Sequence, residues 1–497
     1  MKKVHMFLLA LILVMIVFLT SCAKLGNYKI LGIDVVGNVG KISYITLRYL
    51  NPLNQSVSDV PVKVELFDET QNEWKEVSDA LTGQKIFQTD EMGNITFSIL
   101  PKTAGIYKFR LLNIADITSM PVEFSVNVGG VTWGFLIWLA ADNDLEPYSY
   151  LDLEEMRTQN PDVFIMVMHD KYSNSNGNDS LMLLDENGEF KEIKTFGMDI
   201  NSGSLEFLKE ILEDFYAFNM EKSGLIIWNH GNSWVDDSNF NLAVGYDFTK
   251  QDALTTKEIR GALEYVNSEY GRTLDFIGFD ACNMGTIEIA YELRNCAKYF
   301  VASAFTEPAF GWDYTFLSAL NHDSGIYDLA RDIIDSYFEF YEWLGYTGEL
   351  SLGAYDLSKI QDIAYEISKL SNELTESMSM DENLRSSIIN EYYPQLLQYY
   401  SCQDCMQMID ILDFLNVLCK NVDDLNLLDI RNNLLNVVFE DFIVYKRMYT
   451  SYFWNTGLGL FLPNNLDTYQ QRLDDMLELE FYKDTSWKNF LESLLTQ

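Results

Sequence analysis

The chain has 497 residues, 48% hydrophobic and 14% aromatic, enough to bury a sizeable core in two or three domains. Its 74 acidic side chains against 35 basic ones give a formal charge of −39. This excludes a nucleic-acid partner, because phosphates must be neutralised by Lys and Arg, and it would draw in cationic substrates.

Lys2 and Lys3 precede an unbroken apolar run over residues 6–19. The run is shorter than the roughly 20 residues a bilayer span needs and suits the h-region of a signal peptide, which would remove His5. The closing tetrapeptide Leu19-Thr20-Ser21-Cys22 resembles a bacterial lipobox, in which the Cys is diacylated and becomes the new N-terminus. Residues 1–22 are therefore expected to be a lipoprotein signal peptide. Lipid on Cys22 would tether the chain to the extracellular face of the membrane. An uncleaved anchor helix, the alternative, gives the same sidedness. No other stretch approaches spanning length.

Residues 28–128 have period two. Val60, Val62, Val64 and Leu66 alternate with Pro61, Lys63 and Glu65, and Ile95, Phe97 and Ile99 follow the turn at 90–94. Short alternating strands without helical segments predict a β-sandwich. The segment TDEMGNITFSILPKTAGIYKFRL at 89–111 resembles bacterial immunoglobulin-like domains, which implies a spacer or adhesive module.

After Gly129-Gly130 the texture changes. Short, wholly apolar runs at 133–141, 163–168, 225–228, 274–279 and 299–305 read as parallel strands covered on both faces. Helical patterns lie between them. One opens at the capping box Thr255-x-x-Glu258, carries Ile259, Ala262, Leu263 and Val266 on one face, and stops at Gly271. Strand–helix alternation predicts a doubly wound α/β sheet, here assigned to a catalytic core at 131–345. Residues 346–497 read as a mainly helical region completing that unit, with strand candidates at 350–355 and 458–462.

Six cysteines stand at 22, 282, 296, 402, 405 and 419. Cys402-x-x-Cys405 lacks the second pair or nearby His of a zinc site and the strand–helix–strand setting of a redox motif, so packing cysteines are expected in a stretch (388–418) that looks helical. His169 and His230 each follow a buried strand, and His322 lies in a polar loop. Cys282 stands three residues beyond the run 274–279. In open α/β sheets the functional crevice lies outside the carboxyl ends of the strands. His230 and Cys282 could therefore meet there, the imidazole taking the thiol proton and the thiolate attacking a carbonyl. The amides of Gly231 and Cys282 are candidate oxyanion donors. On these residues alone a packing cysteine remains an open alternative.

LIIWNHGNSW at 225–234 and LDFIGFDACNMGTIE at 274–288 resemble the two active-site segments of the clostripain family of cysteine peptidases, which have a caspase-like α/β fold. ADNDLE at 141–146, SAFTEPAFGWDY at 303–314 and TGLGLFLP at 456–463 extend the resemblance over about 131–463 in the family's order. It implies that His230 is the general base and Cys282 the nucleophile. It further implies cleavage after Arg or Lys, with Asp280 lining the pocket for the cation. Alternatively, Asp280 would cap a helix beginning near Asn283.

Many relatives read Glu-Pro-Gly-Asp-Gly-Trp where this chain has Glu307-Pro308-Ala309-Phe310-Gly311-Trp312. Phe310 replaces an acid, so either Glu307 or Asp313 compensates or basic specificity is altered. Family members can be cut between the His and Cys segments, which makes Lys250 a candidate self-cleavage site. Some depend on calcium, but Asp142, Asp144, Asp236 and Asp237 lack EF-hand spacing, and no metal or cofactor is expected. The expected partners are peptide or protein substrates and, through the anchor, the membrane; a monomer is expected. A non-catalytic surface lipoprotein binding peptides or polymers is the alternative.

Overall fold

The computed structural model describes residues 36–50, 55–115, 121–172, 178–196, 199–234, 244–399, 407–422, 424–450 and 455–496. Cys22, Asp236, Asp237, Cys402 and Cys405 lie outside them, as does the apolar run 6–19. Among the described residues no helix is long and apolar enough to cross a membrane, and Cys282, Cys296 and Cys419 are free thiols. The chain divides into two compact units. The first runs to Val131 and adds Leu183–Ile193 and Phe218–Met220; the second holds the rest.

In the first unit Val36–Asn38, Val122–Gly129, Gly105–Asn113, Pro61–Asp68 and Glu73–Glu76 form one sheet in that order, with Ile86–Gln88 also paired to Pro61–Asp68. Ser43–Arg48 and Asn94–Ile99 form a separate antiparallel pair. The expected alternation sends Val62 and Val64 inward, along with Ile95 and Phe97. Phe97 of the pair packs on Phe87 and Phe109 of the larger sheet, with ring centroids 5.5 and 6.2 Å apart.

The second unit holds the strands Val163–Lys171, Trp133–Ala141, Lys222–Trp228, Leu274–Asp280, Ala297–Ala302, Leu350–Asp356 and Ile443–Tyr449, hydrogen-bonded in that order. The five strands from Val163–Lys171 to Ala297–Ala302 are mutually parallel, and the last two add antiparallel. Every residue of the central strand Trp133–Ala141 is buried, as its unbroken apolar sequence requires of a strand covered on both faces. The helix Thr256–Tyr270 opens at the capping box on Thr255 and Glu258 and closes at Gly271.

One sequence expectation needs correction. The strand candidate at 458–462 is present as Gly459–Phe461, a satellite of the main sheet that pairs with Met408–Asp410. Met408–Asp410 lies in the stretch read as helical. There Asp410 instead ends a strand and caps the next helix, accepting from the amides of Leu412 and Asp413.

Candidate active site

The register of two parallel strands builds the site. Trp228, ending the histidine strand Lys222–Trp228, lies opposite Asp280, ending the cysteine strand Leu274–Asp280. The Asn229 N–H then donates to the Asp280 carbonyl at 3.2 Å. Two residues further on, the two segments carry His230 and Cys282 at one level of neighbouring strands. Gly231 permits this approach: a Cβ there would collide with the Cys282 carbonyl. Asn283 turns the chain at φ 57°, a left-handed conformation Asn tolerates better than most residues. The next helix begins only at Ile287, capped by Thr286. The expected helix start near Asn283 is therefore corrected, and Asp280 has no cap to serve.

Cys282 is half-buried. Its sulfur accepts from the Glu307 N–H at 3.2 Å and donates to the Glu307 carbonyl at 3.6 Å. Burial pushes its thiol up, so the resting group holds its proton. His230 Nε2 donates to Asp144 Oδ1 at 2.9 Å, which leaves Nδ1 as the basic nitrogen. Asp144 belongs to the ADNDLE segment after the central strand. Its role as the histidine's partner was not visible in the sequence, where it read only as a loop oxygen. Because the Asp144 side chain is 68% exposed, solvent screens the pair. Asp144→Asn is expected to lower kcat by no more than about fivefold, the equivalent of about 1 kcal/mol, with KM unchanged. Steady-state kinetics on a peptide substrate checks this.

Beside the pair lies a cavity of about 240 Å³ lined by Leu145, Trp228, Asn229, His230, Asp280, Ala281, Cys282, Glu307, Pro308, Ala309 and Gly311. The Asp280 carboxylate is buried and accepts from the Trp312 N–H at 3.1 Å and the Tyr314 hydroxyl at 2.9 Å. Gly311, at φ 64°, lets the loop cross this carboxylate, since a Cβ would sit 2.7 Å from Asp280 Oδ1. The Tyr341 hydroxyl pins the same loop by donating to the carbonyls of Pro308 and Gly311. Both Glu307 carboxylate oxygens are buried, and no hydrogen bond of good geometry reaches them. Burial pushes Asp280 up to about 6. It lifts Glu307 well above the usual carboxylate range, and the charges of Asp280 and Cys282 add to the rise. Behind them Asp152 is raised by burial, then by Asp280 and Glu155. Carboxylates crowded this closely in low dielectric favour either protons or an incoming cation.

Asp313 lies outside the cavity lining, its Oδ1 accepting from the Thr315 N–H. Phe310 is also absent from the lining. It is 41% exposed, with its ring against Tyr148 at 5.4 Å and Phe340 at 5.8 Å. His169 is buried against the Ser149 hydroxyl at 2.9 Å, and burial drives it down to about 3, so it stays neutral. His322 faces Thr132. Lys250 sits in the turn between the strands Val244–Asp247 and Asp252–Leu254, with Nζ 2.8 Å from Asp199. Among the described residues, Asp142, Asp170 and Asp199 bring carboxylate oxygens within 4.8 Å of one another, a spacing able to hold a metal ion. This acidic grouping differs from the one the sequence offered, because Asp144 turns to His230.

A mostly parallel sheet presenting cysteine and histidine at adjacent strand ends, over an acidic cavity, defines a site of the cysteine-peptidase class. The chain belongs to the clostripain family, Peptidase_C11, whose model matches residues 137–494. Clostripain from Hathewaya histolytica is 30% identical over 186 residues, 31% of this chain and 34% of that protein. The match thus spans about a third of the relative's length. Among solved structures, an inactive zymogen C11 protease from Parabacteroides distasonis superposes with a TM-score of 0.54 at 19% identity, covering 71% of this chain and 98% of that one. The secreted C11 cysteine protease iotapain from Bacteroides thetaiotaomicron gives 0.53 at 18%, covering 73% and 99%. These likenesses show the fold.

Proposed function

We propose that this chain is a cysteine endopeptidase that cleaves after Arg or Lys, with Cys282 as nucleophile and His230 as general base. The observation that carries the reading is the cavity beside the Cys282 sulfur, which ends in the buried carboxylates of Asp280 and Glu307. A guanidinium or ammonium entering it would donate charge-assisted hydrogen bonds to the Glu307 carboxylate oxygens and add to those that Asp280 accepts. Glu307 supplies a second acid in place of the one missing at Phe310.

In the reaction, the thiol proton passes to His230 Nδ1 and the thiolate attacks the scissile carbonyl carbon. The Glu307 N–H, already bonded to the sulfur, stabilises the thiolate. The amides of Gly231 and Cys282 receive the oxyanion. The imidazolium protonates the departing amine. Water, deprotonated by His230, then hydrolyses the thioester. The lipobox-like tetrapeptide ending at Cys22 supports placement on the external face of the membrane, with the immunoglobulin-like first unit as a spacer. Self-cleavage after Lys250 belongs to the same reading: wild type would yield two fragments on denaturing gels, and Cys282→Ala would stay intact.

A carboxylate must lose its proton to pair with a cation, so recognition should rise as pH increases through about 6, the value to which burial lifts Asp280. The ratio of kcat/KM for an Arg substrate to that for its neutral citrulline analogue isolates this ionisation from that of the histidine. It is expected to climb between pH 5 and 7, and in Asp280→Asn to be lower throughout, with any remaining rise due to Glu307. A positional-scanning fluorogenic library tests the whole reading. The expected result is cleavage after Arg and Lys that Cys282→Ala abolishes; selective cleavage after another residue type would sink the specificity.

A further inference from the structure

We propose that Phe310, Tyr148, Phe340 and Trp343 form an aromatic ledge on the rim of the peptidase cavity, which takes an apolar or aromatic side chain from the substrate residue next to the basic one. The ledge rests on the endopeptidase function proposed for the same site. It adds a second recognition element made of side chains outside the cavity lining.

The rings are continuous with the cavity through two of the segments that wall it. Phe310 stands between Ala309 and Gly311, which both line the cavity, while its own ring faces away from it. Tyr148 lies in the first turn of the helix Glu146–Glu155, and its N–H donates at 2.9 Å to the carbonyl of Leu145, another lining residue. The rings of Tyr148 and Phe310 meet edge to face at 5.4 Å. Phe310 also meets Phe340 at 5.8 Å, and Phe340 lies 6.3 Å from Trp343 at the end of the helix Ile326–Trp343.

The ledge is both fixed and uncovered. Tyr341, on the same helix as Phe340, bonds to the carbonyls of Pro308 and Gly311 at 3.1 and 3.0 Å, and so pins the loop on either side of Phe310. Trp343 is nevertheless 79% exposed, and Phe310 keeps a large part of its ring in water. Contiguous apolar surface at the mouth of a ligand cavity marks a binding surface. Rings that are already locked in place lose little further freedom when a partner covers them.

Chain geometry brings the right occupant. Adjacent Cα atoms of a peptide stand about 3.8 Å apart, the same step that separates Phe310 from the lining residues Ala309 and Gly311. A substrate whose basic side chain enters the cavity therefore lays a neighbouring residue over the ledge. Since Phe310 stands where many relatives carry Asp, this preference belongs to the present chain.

Internally quenched peptides test the ledge, with Arg or citrulline at the cleavage position and Gly, Leu, Phe or Lys immediately before or after it. With Arg held constant, kcat/KM should be about tenfold higher for Phe or Leu than for Gly at one of the two neighbouring positions. The preference should collapse to within about twofold of unity in Phe310→Ala, shrink in Trp343→Ala, and persist in Phe310→Leu. Trp343 is exposed at a helix end, so its variant keeps the test open if Phe310→Ala melts early. The Arg-to-citrulline ratio at a constant neighbour reports on the cavity alone, so the basic pocket and the ledge fail separately. Equal rates with Gly and Phe at both positions, a preference for Lys there, or a preference that survives Phe310→Ala overturns the ledge.

Discussion

Cys282→Ala is expected to reduce peptide hydrolysis by about 10⁴-fold or more while leaving the fold intact, because removing a nucleophile disables the whole catalytic unit. The substitution deletes one sulfur from a half-buried position where it bonds to the main chain of Glu307, so circular dichroism and melting should change little. Cys282→Ser should be nearly as inactive. A hydroxyl is far harder to deprotonate, and a base suited to a thiol does not make it nucleophilic. Initial rates on a fluorogenic Arg peptide, with active-site titration of the wild type, give the ratio. Residual activity above about one per cent in a contaminant-free preparation would move the nucleophile elsewhere.

Asp280→Asn carries the second large effect. Asn keeps the shape and retains an oxygen for the Trp312 N–H and the Tyr314 hydroxyl, so the pocket wall should stand. The loss is the anion. An Arg or Lys side chain entering would then be desolvated opposite a neutral amide, with Glu307 the remaining acid in the lining. Truncating one partner of a buried charge pair costs about 2–5 kcal/mol, so kcat/KM for basic substrates should fall by roughly 10² to 10³-fold. Turnover of a citrulline analogue should change little. Equal losses on both substrates would assign Asp280 to structure rather than to recognition.

Much of this arrangement was legible in the sequence because its parallel strands are short and wholly apolar. The runs at 225–228 and 274–279 could be read as buried strands whose ends made His230 and Cys282 candidates, and the resemblance to the clostripain family, rather than position, then set them apart from His169 and from a packing cysteine. What escaped depends on contacts between distant segments. Ile443–Tyr449 is half-buried along its whole length and has no apolar run to betray an edge strand. Met408–Asp410 exists through its pairing with Gly459–Phe461. The bond from Asp144 to His230 crosses 86 positions. Loop direction was equally hidden: between Glu307 and Gly311 the chain turns Glu307 inward and Phe310 outward, so a missing acid at 310 carries less weight than the sequence implied.

The most direct test is covalent labelling with a peptidyl electrophile bearing Lys at the cleavage position, followed by mass mapping, on both the intact chain and the chain nicked by trypsin. The account predicts one adduct, on the peptide containing Cys282, formed slowly in Asp280→Asn and absent in Cys282→Ala. Labelling elsewhere, or none in either form of the wild type, would contradict it.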